Sequence, residues 1–146
     1  MPWSVQLRDV VDSDLPVFFG QQNDPEATRV ANFPARDEAA FMAHWAKIRR
    51  DESNILRTIV VDDHVVGNIA CFVMNGQREV GYWLGREYWG HGFATQALAA
   101  FLPQIEQRPL YGYVAKHNRA SIRVLEKCGF VICGEEAEDV ILKLEV

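Results

Sequence analysis

Gly85, Gly90 and Gly92 stand between a strand-like run, residues 79–84, and an apolar helical pattern that begins at Phe93. A strand that passes through a glycine-rich loop directly into a helix commits the chain to a mixed α/β architecture. It also builds a particular kind of site. The first turn of a helix has free backbone N–H groups and the positive end of the helix dipole. Glycines before it permit positive φ and let a phosphate come close. The pair makes an anion site that needs no basic side chain.

Several anion-binding patterns share this layout. A P-loop requires G-x-x-x-x-G-K-[ST], and no lysine occupies that place here. A dinucleotide fingerprint requires G-x-G-x-x-G. Gly90 and Gly92 fit it, but Thr95 stands where the third small residue belongs, and little chain follows for a double βαβ domain. A nucleotide-binding oxidoreductase is therefore disfavoured, while a purely structural strand–glycine–helix turn stays open.

The rest of the chain reads as alternating short elements. Residues 5–11 alternate as a first strand, and Asp12 and Ser13 cap a helix with Leu15, Phe18 and Phe19 on one side. Asn23-Asp24-Pro25 ends it, and residues 25–34 are irregular or briefly helical. Asp37 caps a second helix that carries Phe41, Met42, Trp45 and Ile48 on one face. Strands follow at 55–61, 65–73 and 79–84, with the turn signals Asp62-Asp63 and Asn75-Gly76 between them. A helix over 93–107 is kinked or cut short by Pro103. A strand at 110–115, a helix over 119–128 capped by Asn118 and stopped by Gly129, and strands at 130–133 and 140–146 complete the order β-α-α-β-β-β-α-β-α-β-β. The length of 146 residues, without repeat or linker, fits a single domain over 1–146.

A second segment narrows the choice. Residues 114–130 read V-A-K-H-N-R-A-S-I-R-V-L-E-K-C-G-F, which resembles the pattern N-x-x-[AS]-x-x-x-x-x-x-x-G-F of the GNAT acetyltransferases. It follows the glycine loop with one strand between. The GNAT coenzyme loop is [QR]-x-x-G-x-[GA]; Gly92 and Ala94 match it, and Trp89 replaces the leading polar residue. The run G-Y-W-L-G-x-x-Y-W-G-x-G-x-A-T is similar to the RimJ/RimL branch. The likeness is strong over residues 79–130 and only topological before that.

The resemblance implies a mixed, mostly antiparallel sheet flanked by helices, split where residues 80–84 part from residues 110–115. It implies acetyl-coenzyme A as co-substrate, with its pantetheine arm against Tyr82, Trp83 and Leu84. The pyrophosphate would sit on the loop Trp89, Gly90, His91, Gly92, Phe93, Ala94 and Thr95. Asn118 would meet the pantetheine, although a plain N-cap explains it equally well. Ser121 would be a second contact of the same arm.

Acetyl transfer to a primary amine requires loss of an ammonium proton, a place for the developing oxyanion, and a departing thiolate. Glu79 is the candidate base, because the RimJ/RimL-like run carries a glutamate there. The bland alternative is a solvated glutamate beside Arg78. Many GNAT enzymes use a tyrosine acid seven positions after the motif asparagine, but Leu125 stands there. Ser121 is the nearest polar substitute, with an ordinary helix-surface serine as its alternative, and a thiol leaves readily enough that no acid is required. Phe33, Trp45, Tyr82 and Trp83 are candidate aromatics of an acceptor pocket. Helical spacing with Phe41 favours core packing for Trp45, and strand alternation puts Tyr82 and Trp83 on opposite faces.

Lys and Arg total 15 against 20 Asp and Glu, a formal net charge of −5. That balance disfavours nucleic acid and weakly favours cationic amines. No apolar run reaches bilayer length, and the stretch 1–12 lacks the layout of a secretory leader, so a cytoplasmic protein without membrane contact is expected. Cys71, Cys128 and Cys133 form no C-x-x-C, and the histidines show no metal spacing, so three inert thiols and no metal are expected. A homodimer is compatible with all of this. The acceptor is a protein N-terminus or a small molecule; the competing class is a non-catalytic acyl-coenzyme A sensor on the same fold.

Overall fold

The computed structural model describes residues 4–146. Met1, Pro2 and Trp3, part of the stretch read above for a leader, lie outside the described residues. Seven strands, β1 (Val5–Arg8), β2 (Ile55–Val61), β3 (His64–Met74), β4 (Gln77–Leu84), β5 (Leu110–Ala115), β6 (Val131–Glu136) and β7 (Asp139–Leu144), form one sheet. Five α-helices flank it: α1 (Leu15–Gln22), α2 (Pro25–Ala31), α3 (Glu38–Arg50), α4 (Phe93–Phe101) and α5 (Arg119–Lys127).

The strand order is β1-β2-β3-β4-β5-β7-β6. Every neighbouring pair is antiparallel except β4 and β5, which run parallel and share a single register pair, Glu79 with Tyr111. The two halves of the sheet are joined at that rung and separate beyond it.

Strand alternation assigns the faces. On β4, Val80 and Leu84 point into a core with Phe93, Leu98, Phe101 and Leu125, beneath α4 and α5. Trp83 points the other way, where its indole N–H donates to the Gln21 carbonyl of α1 at 3.1 Å. A smaller apolar cluster of Phe18, Phe41 and Trp45 fills that side, so Trp45 is core, 6% exposed.

Helix α2 is the departure from the expected order, which had two helices before the second strand. Asp24-Pro25 both ends one helix and starts the next. The Asp24 side chain accepts from the N–H groups of Glu26 and Ala27, and Pro25 occupies the first helical position, where its missing N–H costs nothing. Helix α4 stops at Phe101 and tightens into a 3₁₀ turn over Leu102–Gln104, as a proline at 103 dictates. The loop before α4 contains a further 3₁₀ turn, Arg86–Tyr88.

A buried polar network braces the first half. Asp14, 2% exposed, accepts two hydrogen bonds from Arg8, at 2.8 and 2.9 Å, and one from the Thr58 hydroxyl at 2.7 Å. Burial pushes its carboxyl up, but these bonds and the Val11 N–H outweigh burial and bring it to about 2.

Candidate active site

The split between β4 and β5 opens into two adjoining cavities. The inner one, about 190 Å³, lies between Gly81 of β4 and Gly112 and Tyr113 of β5. The outer one, about 320 Å³, runs from Tyr82 and Trp83 past the glycine loop. Asn118, the N-cap of α5, and Ser121 within it border both.

Gly90 and Gly92 both adopt φ of +79°, and a Cβ on either would project into open space. Gly92 is the N-cap of α4 and has no side chain to cap it; the first main-chain bond runs from Gln96 N–H to the Gly92 carbonyl at 3.1 Å. The N–H groups of Phe93, Ala94 and Thr95 precede that bond, and no side chain caps them. Gly90, Gly92, Phe93, Ala94 and Thr95 all line the outer cavity. The cradle therefore offers unpaired donors and free volume at one point, which fits a pyrophosphate.

Trp89 also lines this cavity, and its indole N–H donates to the Leu84 carbonyl at 3.1 Å. It ties the loop to the end of β4. The His91 ring lies outside the cavity lining and stacks on the Phe93 ring, with centroids 5.3 Å apart.

Glu79 sits at the rung where the two strands part, 7% exposed. The reading of a solvated glutamate beside Arg78 is overturned. Arg78 points to the opposite face and donates to the Ser53 carbonyl at 3.0 Å and to Cys71 Sγ at 3.4 Å. Burial pushes the Glu79 carboxyl up to about 7, and the nearby charge of Glu136 on the β6–β7 hairpin adds to the rise. Tyr113, which lines the inner cavity, is raised by its burial and by the charges of Glu79 and Glu136.

The Tyr82 hydroxyl lies 2.6 Å from Ser121 Oγ. Burial pushes the phenol up to about 12, against the Ser121 bond, which lowers it. Ser121 is thus half-buried and hydrogen-bonded, not an ordinary surface serine. Asn118 caps α5, its side chain accepting from the Ser121 N–H at 3.3 Å. Leu125 is buried against Gly112 and carries no polar group into the split.

Phe33 packs edge-on against Trp83, with ring centroids 6.2 Å apart, and lines the inner cavity. Helix α2 was not expected as part of the site, yet Ala27, Val30 and Ala31 wall the outer cavity. The Asp24-Pro25 start signal could have found it. Arg123 and Lys127 of α5 line the same cavity and were likewise missed. Among the described residues no cluster of three or more His, Cys, Asp or Glu side chains could hold a metal, and no helix is long and apolar enough to cross a membrane.

The Acetyltransferase (GNAT) domain family model matches residues 4–131. The chain belongs to the GNAT acetyltransferase family. Within that family, this GNAT domain is 26% identical over 137 residues to the uncharacterized N-acetyltransferase p20 of Bacillus licheniformis, covering 85% of this chain and 77% of that protein. Its fold is similar to that of aminoglycoside acetyltransferase AAC(6')-Ib in complex with coenzyme A, with a TM-score of 0.84, 18% identity and coverage of 97% and 95% of the two chains. It is also similar to spermidine N-acetyltransferase from Vibrio cholerae in complex with CoA and spermine, with a TM-score of 0.80, 17% identity and coverage of 96% and 93%. The mixed, mostly antiparallel sheet of this GNAT domain is the arrangement those structures share.

Proposed function

We propose that the chain transfers acetyl from acetyl-coenzyme A to a primary amine of a small molecule, by direct attack with both substrates bound. One observation carries this reading: the uncapped first turn of α4, with Gly90 and Gly92 at positive φ, faces a split that opens immediately beyond Glu79. The coenzyme complexes of the aminoglycoside and spermidine acetyltransferases support it, and the amine in the latter supports a small-molecule acceptor over a protein N-terminus.

In this reading the pyrophosphate rests on the N–H groups from Gly90 to Thr95, and the pantetheine runs along Tyr82, Trp83 and Leu84 towards Asn118 and Ser121. Glu79 removes the proton from the acceptor ammonium. Its raised pKa leaves it ionised above neutrality, yet basic enough to hold a proton in transit. The free amine then adds to the thioester carbonyl, and the intermediate collapses as its nitrogen gives up a second proton and the thiolate departs. Ser121 and Tyr82 form a hydrogen-bonded hydroxyl pair beside the arm, which can relay that proton to the thiolate and so stay neutral. The run G-Y-W-L-G-x-x-Y-W-G supports placing the chain near the RimJ/RimL branch.

The lack of a tyrosine at Leu125 favours a second reading, an acyl-coenzyme A sensor without turnover. Thermal shift with acetyl-coenzyme A, followed by a screen of amines and peptide N-termini for thiol release, tests both. No shift at millimolar coenzyme rejects the coenzyme site. A shift without thiol release from any acceptor favours the sensor.

A further inference from the structure

Helix α5 presents two different faces. Leu125 and Ile122 turn into the core, whereas Ala120, Arg123, Val124 and Lys127, at helical spacing of three and four, line the outer cavity. Small apolar side chains thus form the wall near the split, and basic ones stand at the far end. Ser121 borders both cavities, while Lys127 borders only the outer one, about 9 Å further along the helix axis at 1.5 Å per residue.

Two other cations near this cleft are neutralised. Arg86 pairs with Asp24 at 3.0 Å and Lys116 with Glu135 at 3.3 Å. Arg123 and Lys127 form no ion pair with any carboxylate among the described residues, in a chain of net charge −5. A lysine in the last turn of a helix is accounted for by the helix dipole. Arg123 lies mid-helix and has no such account. The end of α5 is held beside the start of α4, where Cys128 Sγ donates to the Thr95 carbonyl at 3.7 Å. The two cations therefore flank the same cradle as the uncapped N–H groups.

We propose that Arg123 and Lys127 hold the 3′-phosphate of coenzyme A and make the chain discriminate against 3′-dephospho-coenzyme A. The inference rests on the coenzyme reading above. The backbone donors of the loop serve the pyrophosphate, so a second phosphate needs a second set of donors, at the outer end of the cleft. A guanidinium fork matches two phosphate oxygens, and the ammonium adds a point charge.

The test is calorimetric titration of coenzyme A and 3′-dephospho-coenzyme A into the wild-type chain, Arg123→Ala, Lys127→Ala and the double variant. Arg119→Ala, on the same helix but outside the cavity lining, is the control. Wild type is expected to prefer coenzyme A by roughly tenfold or more, the scale of one or two charge-assisted contacts. The preference should shrink as salt is raised. In the double variant it should fall to within about threefold, with affinity for the dephospho form unchanged. Arg119→Ala should keep the wild-type ratio. All the altered side chains are exposed, so the fold should survive, which circular dichroism checks. Equal binding of the two nucleotides by wild type overturns the proposal and leaves the coenzyme site standing. An equal loss for both in the double variant also overturns it, because the pair would then serve the pyrophosphate. Binding of neither by wild type removes the coenzyme reading and this inference with it.

Discussion

The Tyr82 hydroxyl and Ser121 Oγ, 2.6 Å apart, tie strand β4 to the first turn of α5 across the mouth of the split. Each is the other's partner in a half-buried place, so removing one strands the other. Ser121→Ala should cost about 1 kcal/mol of stability, the usual size of such a bond. Tyr82→Phe should cost a similar amount, and the double variant less than the sum, because one bond is lost in all three. Urea denaturation of the three variants checks this. Kinetics then separates the roles of the serine. A lower kcat at saturating acetyl-coenzyme A marks proton donation to the thiolate, whereas a raised KM for the coenzyme marks contact with its arm.

Glu79 should show its role in two measurements of opposite sign. As the base it must be ionised, so activity should fall as pH drops through about 7, and Glu79→Gln should lower kcat by about 10²–10⁴-fold and remove that limb. Stability runs the other way. In the folded chain Glu79 keeps its proton up to about 7, against an ordinary value of 4.5. Between those values the folded state binds more protons than the unfolded one, so its contribution is full below 4.5 and lost as pH rises through 7. Glu79→Gln should therefore be the more stable protein at pH 8, by roughly 1–3 kcal/mol. Melting curves at pH 5 and pH 8 check the sign.

Glu136 offers a finer handle on the same carboxyl. Its charge is the second cause of the rise, after burial. Glu136→Gln should move the acidic limb of the rate profile to lower pH while leaving a limb in place. A limb that stays at the wild-type pH would mean that the profile reports some other group.

Much of this site could be read from the residues alone, and the part that could not has physical reasons. The glycine loop and the Asn118 segment are local patterns, because free N–H groups and a helix cap are set by neighbours in sequence. The burial of Glu79 is not local. It arises because Phe72 pairs beside it on β3 and Tyr111 on β5, two strands that come from opposite sides of the glycine loop. Arg78 is its neighbour only in sequence, since alternation along a strand sends adjacent residues to opposite faces. Glu136 reaches Glu79 only once β6 and β7 have added to the sheet. The bond between Tyr82 and Ser121 is likewise a product of the split's width. Asp24-Pro25 serves as a stop and a start at once, so residues 25–34 read as irregular or briefly helical where the structure has the two turns of α2.

At Gly92 the backbone itself sets the limit. Its φ of +79° is disfavoured for any residue with a Cβ, and more so for a β-branched one. Gly92→Ala should therefore lower stability by about 1–2 kcal/mol. The added methyl would project into open space, so the loss is backbone strain and not a clash. Because the strain is relieved by moving the loop, the N–H groups of Phe93 to Thr95 should lose their shared aim, and coenzyme affinity should fall at least tenfold. Calorimetry at a temperature where circular dichroism shows a folded chain separates the two effects. Unchanged affinity would mean that the pyrophosphate sits elsewhere.

Gly112 and Leu125 are matched sterically beside the split. A Cβ on Gly112 would lie 2.2 Å from Leu125 Cδ2, so α5 can lie on β5 only because the strand has no side chain there. Leu125, 3% exposed, fills that place with carbon. Leu125→Ala should cost about 2–5 kcal/mol, through lost burial and a cavity beside the split. Gly112→Ala should also destabilise, by about 1–3 kcal/mol, because a methyl is forced into a filled space. The two changes together should be less damaging than their sum, since the methyl added at position 112 would enter the volume that Leu125 vacates. Denaturant titration of the two single variants and the double checks this. Simple additivity would show that the helix moves away from the strand instead of repacking on it. In that case Leu125→Ala should raise the KM for acetyl-coenzyme A as well, because Asn118 and Ser121 ride on the same helix.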